Sequence, residues 1–173
     1  MGPIYHQYQG LIKDRAAPLL PATPADIEGP FYKPGAPGTH RLCPEPTLVL
    51  RGRVLDRAGN PVPLAELDFW QADPNGVYDN DGFRYRGKLA CDELGQYALL
   101  TDRPGCYHIS DSKERCPHIH VKVTGAGCKA LTTQLYFPGA PNNQTDPWFD
   151  GARTVRSAGV AGEVRFDFVL ERE

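Results

Sequence analysis

The sequence RCPHIHVKV at residues 115–123 contains two histidines that are separated by one residue. Successive side chains of a β-strand point to opposite faces, so His118 and His120 would share one face of such a strand. The alternating apolar residues from Ile119 to Val123 would share the other face and point into a core. Because α-carbons two residues apart along a strand are separated by about 6.6 Å, both imidazoles could ligate one ion. The spacing therefore predicts a metal site on a strand.

Further ligands are needed to complete such a site, and spacing alone leaves several classes open. Cys106 and Cys116 would favour zinc or copper, whereas carboxylates would favour iron(II) or manganese. The chain has no C-x-x-C pair, which argues against a zinc ribbon. Its eight tyrosines are a third class. A phenol has a pKa near about 10, so tyrosine becomes an anionic ligand at neutral pH only beside a strongly Lewis-acidic ion such as iron(III).

The elements that would position these residues are short strands. Turn sequences rich in glycine, proline, asparagine and aspartate separate the strand-like segments, and no convincing amphipathic helix is present. Residues 142–161 are typical of a loop with a short helical turn. This pattern predicts an all-β fold, an antiparallel β-sandwich with long loops and an extended N-terminal arm. The predicted strands are residues 47–55, 64–72, 96–101, 118–124, 131–137 and 164–170.

The length of 173 residues is typical of one domain. Residues 1–46 carry many prolines and little periodicity, which predicts an arm. Residues 47–173 would form the β-sandwich domain. To be ordered, so long an arm has to pack on the body or on a partner subunit, and a homo-oligomer assembled through the arm is one expectation.

Charge and hydropathy exclude several classes of partner. The chain has 19 basic and 21 acidic residues without a basic stripe, so no nucleic-acid partner is expected. No apolar stretch approaches the roughly 20 residues of a membrane span, so no membrane partner is expected either. The N-terminus does not resemble a signal peptide. The five cysteines are most simply reduced thiols of a cytoplasmic protein, although a secreted protein whose signal was removed stays open.

Four separated motifs and the arm together resemble the intradiol ring-cleavage dioxygenases. They are WQADPNGVY at 70–78, PGCY at 104–107, RCPHIH at 115–120, TQLYFPG at 133–139 and, in the arm, EGPFY at 28–32. Their order is also that of the family, and the chain is most similar to small single-domain members of the protocatechuate 3,4-dioxygenase type. Cys106 occupies a variable position of its motif. Cys116 and Pro117 replace the more usual proline followed by a small residue, and neither departure affects a ligand position.

The resemblance implies one non-haem iron(III) per chain, and a catechol-type aromatic diol and O2 as substrates. The ring would open between the two hydroxylated carbons to give a cis,cis-muconate-type diacid. Tyr107 would be a ligand first and a general base second, and Arg115 would stabilise negative charge that develops on the ring carbon. The implied metal ligands are Tyr78, Tyr107, His118 and His120.

Pocket residues and the identity of the catechol are less constrained by the motifs. Gln134 is positioned to orient the substrate or a ligand, and the other candidates for the substrate pocket are Asp73, Gly76, Ile109 and Tyr32. Catechol, protocatechuate and hydroxyquinol all stay open as substrates. Two different functions also stay open. One is a cupin-like iron(II) or zinc protein, which requires a carboxylate and a third histidine, and the other is a non-catalytic β-sandwich binding module.

Overall fold

The computed structural model describes residues 16–173, and β-strands account for most of its regular structure. A 3-10 helix at Gly151–Arg153 lies within the segment where a short helical turn is predicted. No helix in the described range has the length and apolar character needed to cross a membrane. The strands are β1 (Leu48–Asp56), β2 (Glu66–Gln71), β3 (Arg86–Ala90), β4 (Gln96–Thr101), β5 (Tyr107–Ser110), β6 (Lys113–Arg115), β7 (His118–Thr124), β8 (Leu131–Tyr136), β9 (Arg156–Ser157), β10 (Glu163–Arg165) and β11 (Phe168–Leu170).

Two sheets form a β-sandwich, as the sequence predicts. The first sheet has the order β3-β2-β7-β8, and all of its neighbours are antiparallel. The second sheet is built on β1, which pairs with β4 antiparallel and with β10 and β11 parallel. Strands β5 and β6 form a separate hairpin. The parallel pairs are the departure from a purely antiparallel arrangement.

The core lies between the two sheets and explains the alternation in β7. Ile119, Val121 and Val123 are fully buried in it, together with Leu50 and Leu99 from the second sheet. The histidines of β7 therefore point to the opposite face of the first sheet. That face is buried as well, which requires a cover other than the second sheet.

Residues of the arm provide this cover. The backbone N–H of Asp26 donates to the carbonyl oxygen of Thr132 at 2.9 Å, and the hydroxyl of Thr133 donates to the carbonyl oxygen of Pro24 at 2.7 Å. Both contacts join the arm to β8. Residues 1–15 of the predicted arm lie outside the described residues, and the domain boundary at 46 and the contact with a partner subunit stay predictions.

Some strands differ from the sequence prediction for local reasons. Strands β3, β5, β6 and β9 are short and carry polar residues, so they show no alternation of apolar side chains. The segment predicted as one strand at 164–170 is interrupted at Phe166 and Asp167. The backbone N–H of Arg53 donates there to Oδ1 of Asp167 at 2.9 Å, so a side chain replaces one backbone acceptor.

Gly52 allows the interrupted strand to approach β1 closely. A β-carbon at this position would lie 1.7 Å from the carbonyl oxygen of Phe166. We expect Gly52→Ala to lower the free energy of unfolding by about 1–3 kcal/mol, as overpacking does, which corresponds to about 2–12 °C in Tm. Gly38→Ala is the control, because no atom lies within 4 Å of its added β-carbon. Thermal unfolding measures both variants, and equal Tm values would contradict the prediction.

Candidate metal centre

His118 and His120 bring their Nε2 atoms to 3.1 Å from each other. Nδ1 of His118 lies 2.7 Å from the carbonyl oxygen of Cys116. A carbonyl oxygen only accepts, so Nδ1 carries the proton and Nε2 of His118 keeps its lone pair. The separation fits two ligands of one ion, since imidazole nitrogens bind metals at about 2.0–2.1 Å. The ring of Trp70 stacks on that of His120 at 4.8 Å between centroids and limits its rotation.

Two tyrosines complete the cluster from separate segments of the chain. The hydroxyl of Tyr78 lies 3.4 Å from Nε2 of His118. The ring of Tyr107, at the start of β5, lies 5.5 Å from that of Tyr78 and 5.7 Å from that of His118, between centroids. Gly76 allows the two segments to meet, because its φ is 80° and a β-carbon there would lie 2.0 Å from the carbonyl oxygen of Cys106. The four predicted ligands therefore converge.

Burial keeps both imidazoles neutral. Burial, together with the nearby Arg115 guanidinium, lowers the pKa of His118 to about 3. Burial lowers the pKa of His120 well below its ordinary value, followed by the effects of His118 and Arg115. Neutral imidazoles are the form that ligates metals.

Burial has the opposite consequence for the phenols. It raises the pKa of Tyr78 well above its ordinary value. It also raises the pKa of Tyr107, although Arg115 acts against this increase. Both groups therefore stay protonated unless a strong positive charge is added between them. Two neutral imidazoles and two such phenols fit iron(III), which stabilises phenolates, better than a softer or less charged ion.

A cupin-like donor set is not supported by the geometry. Across residues 16–173, no group of three or more histidine, cysteine, aspartate or glutamate side chains is arranged to hold a metal ion. A cupin-like site would require such a group. Within residues 16–173, the side chains that add to His118 and His120 in this cluster are tyrosines.

Arg115 and Gln134 lie beside the predicted ligands, and their roles stay predictions. Both are buried. Nη1 of Arg115 lies 3.5 Å from the hydroxyl of Tyr107, and its Nη2 donates to Oε1 of Gln134 at 2.6 Å. Gln134 pairs with His120 in the register of β7 and β8. The guanidinium is therefore placed next to the phenol that is predicted to act as a base.

The other predicted pocket residues occupy different positions. Tyr32 packs edge-on against Trp70 at 4.9 Å, and its hydroxyl donates to Asp68 at 3.0 Å. Asp73 is part of a turn, where its carboxylate accepts hydrogen bonds from two backbone amides. It also forms an ion pair with Arg84 at 2.6 Å. Ile109 is 45% exposed. Tyr32 thus borders the site, Asp73 shapes the loop before Tyr78, Ile109 lies at the surface, and their roles toward a substrate stay predictions.

The sequence did not identify Phe31 or Arg86 as part of the site. Phe31 stacks on Tyr78 with ring centroids 4.2 Å apart. The buried Arg86 donates to the carbonyl oxygen of Phe31 and to that of Asp79. Phe31 belongs to the EGPFY motif, so the motif was the signal that could have identified it. Arg86 lies in a polar strand with no such signal.

The buried histidines predict a pH dependence for the metal-free protein. In the unfolded chain their pKa is about 6.5, so below that value the unfolded state binds more protons than the folded state. The free energy of unfolding should therefore fall as the pH is lowered from about 7 to about 5. Denaturant titrations measure this slope. The double variant His118→Gln/His120→Gln should flatten it, and an unchanged slope would contradict the prediction.

Comparisons with known proteins identify relatives of the chain. The profile of a family described as dioxygenase matches residues 27–171. A catechol 1,2-dioxygenase of Acinetobacter baylyi (strain ATCC 33305 / BD413 / ADP1) is 32% identical over 162 residues, which are 78% of this chain. The chain spans 52% of the length of that relative.

Solved structures give the same result. The dioxygenase domain of a dioxygenase carbohydrate-binding protein fusion from Streptomyces sp. SirexAA-E is 44% identical, with a TM-score of 0.80, over 88% of this chain and 100% of that domain. The 3-chlorocatechol 1,2-dioxygenase of Rhodococcus opacus 1CP is 28% identical, with a TM-score of 0.78, over 87% of this chain and 73% of the other. The chain therefore belongs to the intradiol ring-cleavage dioxygenase family.

Proposed function

We propose that this protein is a non-haem iron(III) dioxygenase that cleaves a catechol-type ring between its two hydroxylated carbons. Both atoms of O2 enter the product, a cis,cis-muconate-type diacid. The observation that carries the proposal is the buried convergence of two imidazole Nε2 atoms with two phenols. The names of the relatives, which include catechol and chlorocatechol 1,2-dioxygenases, favour a catechol as the substrate class.

The four converging side chains would hold one iron(III) ion per chain. Two phenolates would offset two of its three positive charges, which reduces the electrostatic penalty of burying the ion. When bound, the ion would act as a Lewis acid toward the catechol oxygens and would make the electrons of the substrate available to O2. The ligands are Tyr78, Tyr107, His118 and His120.

The two tyrosines have different surroundings, which suggests different roles. Tyr78 is only 7% exposed and lies beneath the ring of Phe31. Tyr107 is partly exposed at the start of β5. A general base has to approach the substrate and accept a proton from it. The more accessible Oη of Tyr107 is therefore the better candidate. Tyr78 would remain a fixed ligand.

Arg115 would act on charge that develops near Tyr107. Its Nη1 is the edge of the guanidinium that lies closest to the phenol. A buried, permanently charged donor stabilises an adjacent anion more strongly than an exposed one, because little solvent screens the interaction. Arg115 would therefore stabilise either the phenolate or negative charge on the substrate ring.

A panel of diols tests the reaction. Protein loaded with iron(III) should convert at least one of catechol, a chlorocatechol, protocatechuate and hydroxyquinol to a ring-opened diacid, followed by ultraviolet absorbance and mass spectrometry. In a reaction with 18O2, both 18O atoms should be found in the product. The loaded protein should also be burgundy from tyrosinate-to-iron(III) charge transfer. A colourless protein with full iron content would refute the ligand set.

Replacement of Tyr107 tests its role as a base. Tyr107→Phe should retain His118, His120 and Tyr78 as ligands and lower kcat by about 100-fold or more, since general-base catalysis contributes about 10²–10⁴-fold. Tyr97→Phe is the control, because this buried tyrosine donates to the carbonyl oxygen of Phe166 in the core, away from the site. Steady-state kinetics and iron analysis measure both variants. Unaltered turnover in Tyr107→Phe would rule out this role.

A further inference from the structure

A buried carboxylate contacts the guanidinium of Arg115 from outside the metal cluster. Oδ2 of Asp146 accepts from Nε of Arg115 at 2.8 Å, and the two side chains are 0% and 4% exposed, respectively. Asp146 lies in the loop that follows β8 and matches none of the family motifs identified in the sequence. It does not belong to the set of ligands.

The contacts of Arg115 use different edges of its guanidinium. Nε faces Asp146, Nη2 faces Gln134, and Nη1 faces the hydroxyl of Tyr107. The guanidinium carbon lies over the ring of Trp148, 4.6 Å from the ring centroid. Asp146 therefore binds a nitrogen other than the one that faces the phenol and leaves Nη1 available. A guanidinium held through two of its nitrogens and against one aromatic ring cannot rotate without breaking several contacts.

Asp146 is itself fixed and ionised. Its Oδ2 also accepts from the backbone N–H of Cys116 at 2.9 Å, and its Oδ1 accepts from that of Trp148 at 2.9 Å. Burial raises the pKa of Asp146, but hydrogen bonds from Arg115 and from the Trp148 amide outweigh it and hold the pKa below its ordinary value. The carboxylate is thus a rigid anion with a defined orientation.

The same carboxylate also binds the backbone of Cys116, two residues before the first histidine. The N–H of Cys116 donates to Asp146, and the carbonyl oxygen of the same residue, in the next peptide group, lies 2.7 Å from Nδ1 of His118. One side chain therefore contacts both the guanidinium of Arg115 and the residue whose carbonyl oxygen sets the tautomer of His118. No other carboxylate in residues 16–173 has a hydrogen bond to Arg115.

We propose that Asp146 is a positioning residue, which holds Nη1 of Arg115 at Tyr107 and acts on the reaction through that guanidinium. This inference rests on the proposed function, because Arg115, the residue that Asp146 orients, takes part in the proposed reaction. Residues that orient a catalytic group typically alter rates by about 10–100-fold when they are replaced. Since the hydrogen bonds of Asp146 go to Arg115, Cys116 and Trp148 and to none of the four proposed ligands, its replacement should affect kcat and leave KM nearly unchanged.

Hydrogen exchange tests the geometry without any turnover. The full-length chain is labelled with 15N and loaded with gallium(III), a diamagnetic substitute for iron(III). Nε–H of Arg115, assigned through its loss in Arg115→Ala, should exchange with solvent at least tenfold more slowly than Nε–H of the exposed Arg53. Exchange as fast as that of Arg53 in the wild type would overturn the proposal, even if no Asp146 variant folds. Asp146→Asn should accelerate the exchange of Arg115.

A double-mutant cycle tests whether Asp146 acts through Arg115. Asp146→Asn should lower kcat about 10–100-fold, with KM within threefold and unchanged iron content. If the residues act as a unit, Arg115→Ala/Asp146→Asn should be no slower than Arg115→Ala alone. The matched control is Asp56→Asn, because Asp56 is a buried carboxylate that also binds an arginine and two backbone amides, far from the site. Its kcat should stay within twofold.

The outcomes separate the two proposals. Multiplicative losses in the double variant, or an unaltered kcat in Asp146→Asn, would overturn the positioning role while the enzyme remained active. An equal loss in Asp56→Asn would attribute the effect to general destabilisation and would overturn it too. Absence of ring cleavage by the wild type would refute the proposed function, and the exchange of Nε–H would still decide whether Asp146 fixes Arg115.

Discussion

Two imidazoles and the phenol of Tyr78 are buried on the outer face of a sheet, beside the half-buried phenol of Tyr107, and much of the structure follows from this burial. Buried polar atoms are destabilising when they lack partners. The Nε2 atoms of His118 and His120 face each other and the hydroxyl of Tyr78, and protons alone satisfy this cluster poorly. A bound cation would resolve this conflict, because each of these atoms could then ligate it. The burial of these nitrogen and oxygen donors is thus consistent with a metal site.

The arm follows from the same constraint. Because β7 directs its apolar residues into the core, its histidines necessarily point outward, and a sandwich of two sheets alone would leave them in water. Residues 16–46 cover that face, with Phe31 on Tyr78 and Tyr32 against Trp70. The arm is therefore part of the site, and not only a connection to it. Arg86 links the two by binding the carbonyl oxygen of Phe31.

The two-residue period of a strand was sufficient to predict β7 and the shared face of its histidines, because that information is local. The resemblance to a family added Tyr78 and Tyr107, which spacing could not select. Local patterns failed where polar strands pair, as in β3, and where a side chain replaces a backbone acceptor, as with Asp167. The contact between Arg115 and Asp146 joins positions 31 residues apart, and only the folded arrangement of the loop after β8 brings them together.

Comparison of the buried carboxylates Asp56 and Asp146 explains why we infer that the ion pair of Asp146 with Arg115 serves to orient the guanidinium. Asp56 binds Arg172, whose side chain is 49% exposed, so that guanidinium keeps much of its hydration. The pair of Arg115 and Asp146 is almost completely withdrawn from water. Burial of both ions removes their hydration, and an apolar pair of similar volume is often as stable or more stable. Stability is therefore a weak reason for an ion pair at this position. A fixed direction of the guanidinium toward Tyr107 is a stronger one, because only a charged, planar group with several donors can provide it.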